Sequence, residues 1–172
     1  MRFFDILFSI LGLLILSPLL ILIFVIGYFD TGSPLFFQKR VGLNLKIFTL
    51  VKFRSMKINT LSSGTHLIDK SNITWLGHYL RKYKLDELLQ LWNVLIGNMS
   101  IVGPRPCLIN QTILIAERKK RGVFKVRPGI TGLAQVSGIT MKTPILLSKT
   151  DLKMIKQMNF YYYFYYIFKT FL

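Results

Sequence analysis

Residues 6–29 read ILFSILGLLILSPLLILIFVIGYF, an uninterrupted uncharged and almost wholly apolar stretch between Asp5 and Asp30. About 20 such residues suffice to carry a helix across a bilayer, so this segment belongs to a membrane. A secretory signal has a shorter apolar core, about 7–15 residues, and ends at a small-residue cleavage site. Nothing here matches that site, and the segment is read as retained. Ser17-Pro18 interrupts its middle, where proline removes a backbone donor and the serine hydroxyl can serve a freed carbonyl. A kink or break is expected. From these residues alone a kinked spanning helix is preferred to a helix-break-helix that enters and leaves by one face. Arg2 before the segment and Lys39, Arg40 and Lys46 after it do not decide between them, because charge bias orients a segment without proving that it spans.

The rest of the chain is basic. Across 172 residues, 23 Lys and Arg stand against seven acids, for a formal charge of +16, while 52% of residues are hydrophobic and 17% charged. That balance suits polyanionic partners: acidic lipid headgroups, phosphorylated substrates or nucleic acid. The length fits a single catalytic domain. Cys107 is the sole cysteine, which excludes an internal disulfide.

Downstream of Ser33-Pro34, PLFFQKRVG and KIFTLVKFRSM form two apolar, β-branched arms around Gly42-Leu43-Asn44, the pattern of a short hairpin. Gln38, Arg40, Lys52 and Arg54 punctuate the arms, either as a solvated face or as part of a site. Lys57 to Asn72, rich in Asn, Thr, Ser and Gly, reads as an exposed loop. From Trp75 onward, Leu85, Leu88 or Leu89, Trp92 and Leu95 recur at helical spacing, predicting an amphipathic helix that carries Asp86 and Glu87 and ends near Gly97-Asn98.

Asp86 and Glu87 are the only adjacent acids in the chain. On a helix of 3.6 residues per turn, neighbours point about 100° apart, so the two carboxylates are expected to hold separate roles. An arbitrary Asp-Glu pair is usually surface decoration, but Leu85, Leu88 and Leu89 hold this one against a core or membrane, where unpaired carboxylates are costly. Pro104-Arg105-Pro106 stiffens the backbone on both sides of one arginine, either as a plain surface turn or as a mount for a phosphate-binding guanidinium. Val126 to Gly132 is dense in turn formers around Arg127. Arg118-Lys119-Lys120-Arg121 reads as a solvated charge run. Phe160 to Tyr166, seven aromatics flanked by lysines, is too short to span and suits the headgroup boundary.

Taken in order, the apolar segment with Ser17-Pro18, FFQKRVG, KFRSM, LDELLQLWNVLIGNMSIVGPRP and VRPGITGLAQVSG resemble the bacterial sugar transferase family, the monotopic phosphoglycosyl transferases. The resemblance covers almost the whole chain. It implies an α+β, mainly helical fold with a re-entrant helix-break-helix at Ser17-Pro18, a short β-hairpin, and amphipathic interfacial helices around a small catalytic core. That replaces the spanning preference. The division it suggests is 1–32 for the membrane helix, 33–152 for a catalytic domain at the cytoplasmic face of the inner membrane, and 153–172 for an aromatic interfacial segment.

By the same resemblance, Asp86 is the nucleophile that attacks the β-phosphate of a UDP-sugar, releasing UMP, before undecaprenyl phosphate takes the sugar phosphate. Mg²⁺ is expected at Asp86, and Glu87 assists. Arg105 and Arg81 are the foremost phosphate-clamping candidates, followed by Lys52, Arg54 and Arg127. An anionic lipid membrane is the expected partner surface, and nucleic acid is not an expected partner. This chain departs from the family at Asn98, where an acid is common, and after Gly138. The rival reading is a non-catalytic, membrane-tethered basic protein that holds anionic lipid or nucleic acid, with the aromatic run stacking on bases.

Overall fold

The computed structural model describes residues 1–58, 60 and 70–170, so most of the loop expected over 57–72 lies outside the described residues. The apolar segment forms two helices, α1 (Arg2–Ile15) and α2 (Ser17–Thr31), bent by 62° at Leu16. The bend has a local cause. Pro18 has no N–H to give to the carbonyl of Leu14, four residues back, and the Ser17 hydroxyl donates to that carbonyl instead at 2.7 Å. Among the described residues no single helix is long and apolar enough to cross a membrane; α1 and α2 reach that length and composition only together. Leu14, Ile15, Ile21, Leu22 and Phe29 are all exposed on the pair.

The hairpin follows as expected. Strands β1 (Leu35–Val41) and β2 (Ile47–Phe53) pair antiparallel from Leu35 opposite Phe53 to Val41 opposite Ile47. Their connection runs two residues further than the sequence suggests, through Lys46, with Asn44 and Leu45 both at positive φ. Strand β4 (Cys107–Leu108) adds to the other edge of β1, leaving β2 outermost.

An outer strand presents unpaired backbone groups. Here α4 (Gln90–Leu95) covers them: the Asn93 side chain accepts from the Val51 N–H at 2.9 Å and donates to the Thr49 carbonyl at 2.8 Å. A second, parallel pair joins β3 (Ser100–Val102) to β5 (Gly129–Thr131). Glycine is required where these meet, because a Cβ on Gly129 would collide with the Gly103 backbone.

The single amphipathic helix predicted from Trp75 is instead two. Helix α3 (Trp75–Lys82) stops at Tyr83, Lys84 adopts φ 55°, and Leu85–Glu87 make a 3₁₀ turn before α4 begins. The stop expected at Gly97 is present, at φ 91°. The remaining helices are α5 (Thr112–Lys120), α6 (Leu133–Val136), α7 (Pro144–Gln157) and α8 (Phe160–Lys169). Helix α7 runs unbroken through residues 152 and 153.

The aromatic run forms most of α8, and one face of it is core rather than boundary. Tyr163 and Tyr166 are buried with Val102 and Met154, and Phe164 packs on Phe4 of α1 with ring centroids 5.5 Å apart. Phe160, Tyr161 and Phe168 face outward. Helical spacing separates these two faces.

Replacing Asn93 by alanine leaves one donor and one acceptor of the outer strand without partners. We expect Asn93→Ala to lose about 2 kcal/mol. Thermal unfolding of the detergent-solubilised protein measures it, and an unchanged transition would show that the strand does not depend on this side chain.

Candidate active site

The 3₁₀ turn, not a helix face, sets the direction of the two acids. The left-handed Lys84 turns the chain so that Asp86 points inward, 8% exposed, while Glu87 is more open. Lys52 of β2, Arg81 of α3 and Arg105 all act electrostatically on Asp86. Burial and the adjacent Glu87 nevertheless push the Asp86 carboxyl up from the usual range, against the pull of those three cations. Among the described residues none donates a hydrogen bond to it. Glu87 is ion-paired with Arg105.

Strand periodicity builds the opposite wall. Gln38 and Arg40 of β1 share a face with Leu50 and Lys52 of β2, and a cleft opens between Arg40, Lys52, Glu87, Gln90 and Arg105. Gln38 and Arg40 are thus not a solvated hairpin face: Gln38 is buried and accepts from the Arg40 guanidinium. Burial, and then the neighbouring Arg105, lower the Arg40 pKa to about 10. Burial likewise lowers that of Lys52, partly offset by Asp86.

Arg105 sits on a turn whose three carbonyls have three separate donors. The Gly129 N–H holds Pro104 at 2.9 Å, Arg118 holds Arg105 at 2.7 Å, and Arg40 holds Pro106 at 2.9 Å. Two of these residues are prolines, which have no N–H to make bonds of their own. The turn is therefore a mount rather than a free surface feature.

Arg118 corrects the expected solvated run. It is 1% exposed and paired with the equally buried Asp151 of α7, its Nε donating at 2.9 Å and its Nη2 lying 2.7 Å from the same oxygen.

Of the sequence candidates, Lys52, Glu87 and Arg105 line the cleft, while Asp86 and Arg81 belong to the same electrostatic cluster without being among its lining residues. Arg81 is braced by the Ser55 hydroxyl, accepting from its Nε at 2.9 Å. Arg54 and Arg127 do not line the cleft. Arg54 donates to the carbonyls of Ser33 and Leu35, and Arg127 donates to that of Gly97 beyond the end of α4. Arg40, which the sequence leaves open between a solvated face and a site, lines the cleft, and so does Gln90, which sequence reasoning missed.

Three or more His, Cys, Asp or Glu grouped as a metal cage do not occur among the described residues. Magnesium does not require one, since it commonly binds through one or two carboxylates with substrate phosphates and water completing the shell. A buried carboxylate with no hydrogen-bond donor among the described residues, next to a second acid, fits that mode.

The model of bacterial sugar transferases matches residues 1–172. The chain belongs to that family. Among relatives of this sugar transferase, the sugar transferase EpsL of Bacillus subtilis is 43% identical over 138 residues, covering 80% of this chain and 68% of that protein. The undecaprenyl-phosphate galactose phosphotransferase of Salmonella typhimurium is 38% identical, covering 80% of this chain and 32% of its own. The UDP-glucose:undecaprenyl-phosphate glucose-1-phosphate transferase of Xanthomonas campestris is 40% identical, with 83% and 31% covered. This chain therefore spans about a third of the length of the latter two.

Removing Arg118 alone strands the Asp151 carboxylate in the core. We expect Arg118→Ala to cost about 3–5 kcal/mol, read as a large fall in melting temperature or loss of folded protein. A wild-type transition would mean that Asp151 finds another partner.

Proposed function

We propose that this sugar transferase moves a sugar 1-phosphate from a UDP-sugar to undecaprenyl phosphate, releasing UMP, through a covalent aspartyl sugar phosphate. It would perform the first membrane step of polysaccharide or glycoconjugate assembly. One observation carries the reading: a buried carboxylate, Asp86, without a hydrogen bond among the described residues and within the field of Lys52, Arg81 and Arg105. A nucleophile must keep its lone pairs free, and phosphoryl transfer needs cations where charge spreads over the equatorial oxygens.

In the first half-reaction an Asp86 oxygen bonds to the β-phosphorus while the bond from that phosphorus to the bridging oxygen breaks, and UMP leaves with the electron pair. In the second, a phosphate oxygen of the lipid bonds to the same phosphorus, and the acyl phosphate bond breaks to restore the carboxylate. Lys52, Arg81 and Arg105 bind and orient the phosphates. Glu87, held by Arg105, is the assisting carboxylate. Mg²⁺ held at Asp86, when bound, would supply further neutralisation of phosphate charge.

The α1/α2 pair reads as a re-entrant element at the cytoplasmic face of the inner membrane. Both of its ends are tied to one body, which supports this. Arg2 donates to the carbonyls of Leu95 and Met99, and beyond α2 the Ser33 carbonyl accepts from Arg54 of the segment after β2. A membrane-spanning pair would separate those ends by about 30 Å of hydrocarbon.

Purified protein with Mg²⁺, undecaprenyl phosphate and a panel of UDP-sugars is expected to release UMP. Asp86→Asn should lower turnover by at least about 1,000-fold and abolish the trapped adduct, with Glu87→Gln severely impaired. Substantial turnover in Asp86→Asn would sink the covalent route, and no release from any UDP-sugar would favour the binding-protein reading. Reporter tags at residue 1 and after Thr31 should both lie in the cytoplasm. Pro18→Ala, by restoring the Leu14 hydrogen bond, should shift the N-terminus outward in part of the population. An external N-terminus in the unaltered protein would refute the re-entrant reading.

A further inference from the structure

Arg118 and Asp151 lie outside the cleft and have no part in the chemistry above, yet they form a fully buried ion pair. Such a pair is a poor choice for stability, because desolvating two charges offsets most of their attraction, and apolar residues of similar volume often serve as well or better. Its geometry suggests another use. The guanidinium directs Nε and Nη2 to one Asp151 oxygen, which leaves Nη1 for the Arg105 carbonyl at 2.7 Å. A planar, permanently charged fork can serve both partners in one fixed orientation, which a lysine cannot.

The carbonyl that it holds belongs to the residue whose guanidinium reaches Glu87, beside Asp86. We propose that Arg118, fixed by Asp151, is a positioning residue that aims Arg105 at the carboxylate pair and the phosphates bound there. The inference rests on the reading of Arg105 as a phosphate-binding residue. Arg40 and Gly129 hold the two flanking carbonyls, but Arg40 itself lines the cleft and Gly129 contributes only backbone. Arg118 is therefore the one side chain of the mount that acts wholly from behind. A misplacement of about 1 Å at a substrate-positioning group can cost about 100-fold in rate.

The test is a mutant cycle on the full chain in detergent or nanodiscs, read as kcat/KM for UMP release together with melting temperature. Arg118→Met with Asp151→Leu removes both buried charges, so the fold is expected to persist while the bond to the Arg105 carbonyl is lost. The expected result is a fall of about 10- to 100-fold in kcat/KM at near wild-type melting temperature. Arg118→Lys, which keeps the charge beside Asp151 but not the fork, should show the same fall, and it covers the case in which the double variant does not fold.

In an Arg105→Ala background, the Arg118 and Asp151 changes should add less than about twofold, because there is no longer a side chain to aim. Wild-type kcat/KM in folded Arg118 variants, or an equal loss in both backgrounds, would overturn the inference alone. Wild-type turnover in Arg105→Ala would overturn the reading of Arg105 and the inference with it.

Discussion

The structure depends on a buried carboxylate far from the cleft. Asp5, 3% exposed in the first turn of α1, accepts from the Ser100 hydroxyl at 2.9 Å, the Ile101 N–H at 3.0 Å and the Tyr163 hydroxyl at 2.8 Å. Burying an ionised carboxylate is costly unless donors replace its water. Three donors from β3 and α8 do so here, with Arg2 beside them. One side chain therefore joins α1, the parallel strands and α8, elements otherwise distant in sequence. An apolar contact would have allowed α1 to slide or rotate, whereas directional bonds to three partners fix its depth and its angle together.

Three aspartates are buried among the described residues: Asp5, Asp86 and Asp151. Two of them are bonded, Asp5 to three donors and Asp151 to a guanidinium. Asp86 alone has charge nearby but no bond. In a protein with seven acids against 23 basic residues, a bonding partner would have been easy to supply. Leaving this carboxylate unbonded keeps its lone pairs available to an electrophile or a cation. Asp151 is bonded through one oxygen only, and among the described residues its other oxygen and Arg118 Nη2 are buried without a hydrogen bond, so that pair acts through fixed charge and geometry rather than full satisfaction.

How much was legible in the sequence follows from how local each cause is. Ser17-Pro18 encodes its bend within four residues, Gly97 its helix stop, and the hairpin arms their pairing through period and turn. The break at Lys84 was not legible, because a lysine at positive φ has no sequence signature and the leucines on either side continue a helical spacing. Arg118 was misread for the opposite reason. It sits within four consecutive basic residues, and what buries it is a carboxylate 33 positions away. Arg54 and Arg127 carried the right charge in the right motifs, but backbone carbonyls engage both, a demand that residue type does not reveal. The family resemblance brought Asp86 and Glu87 forward, and only the fold distinguished the buried acid from the ion-paired one.

The α1/α2 pair and the cleft are not separate modules joined by a linker. Ile23 of α2, Phe53 of β2 and Leu76 and Leu80 of α3 form one buried cluster, and Leu85 and Leu89 pack at its margin. Those two leucines bracket Asp86 and Glu87 in the chain. The apolar face of the turn that carries the carboxylates is therefore seated in the same cluster as α2 itself. Interiors of this kind are close-packed and transmit displacement rather than absorbing it. In the re-entrant arrangement proposed above, the depth at which α1 and α2 sit would also set the height of Asp86 above the bilayer. For the proposed reaction between a soluble nucleotide sugar and a lipid-borne phosphate, that height would be the coordinate on which the two substrates must agree.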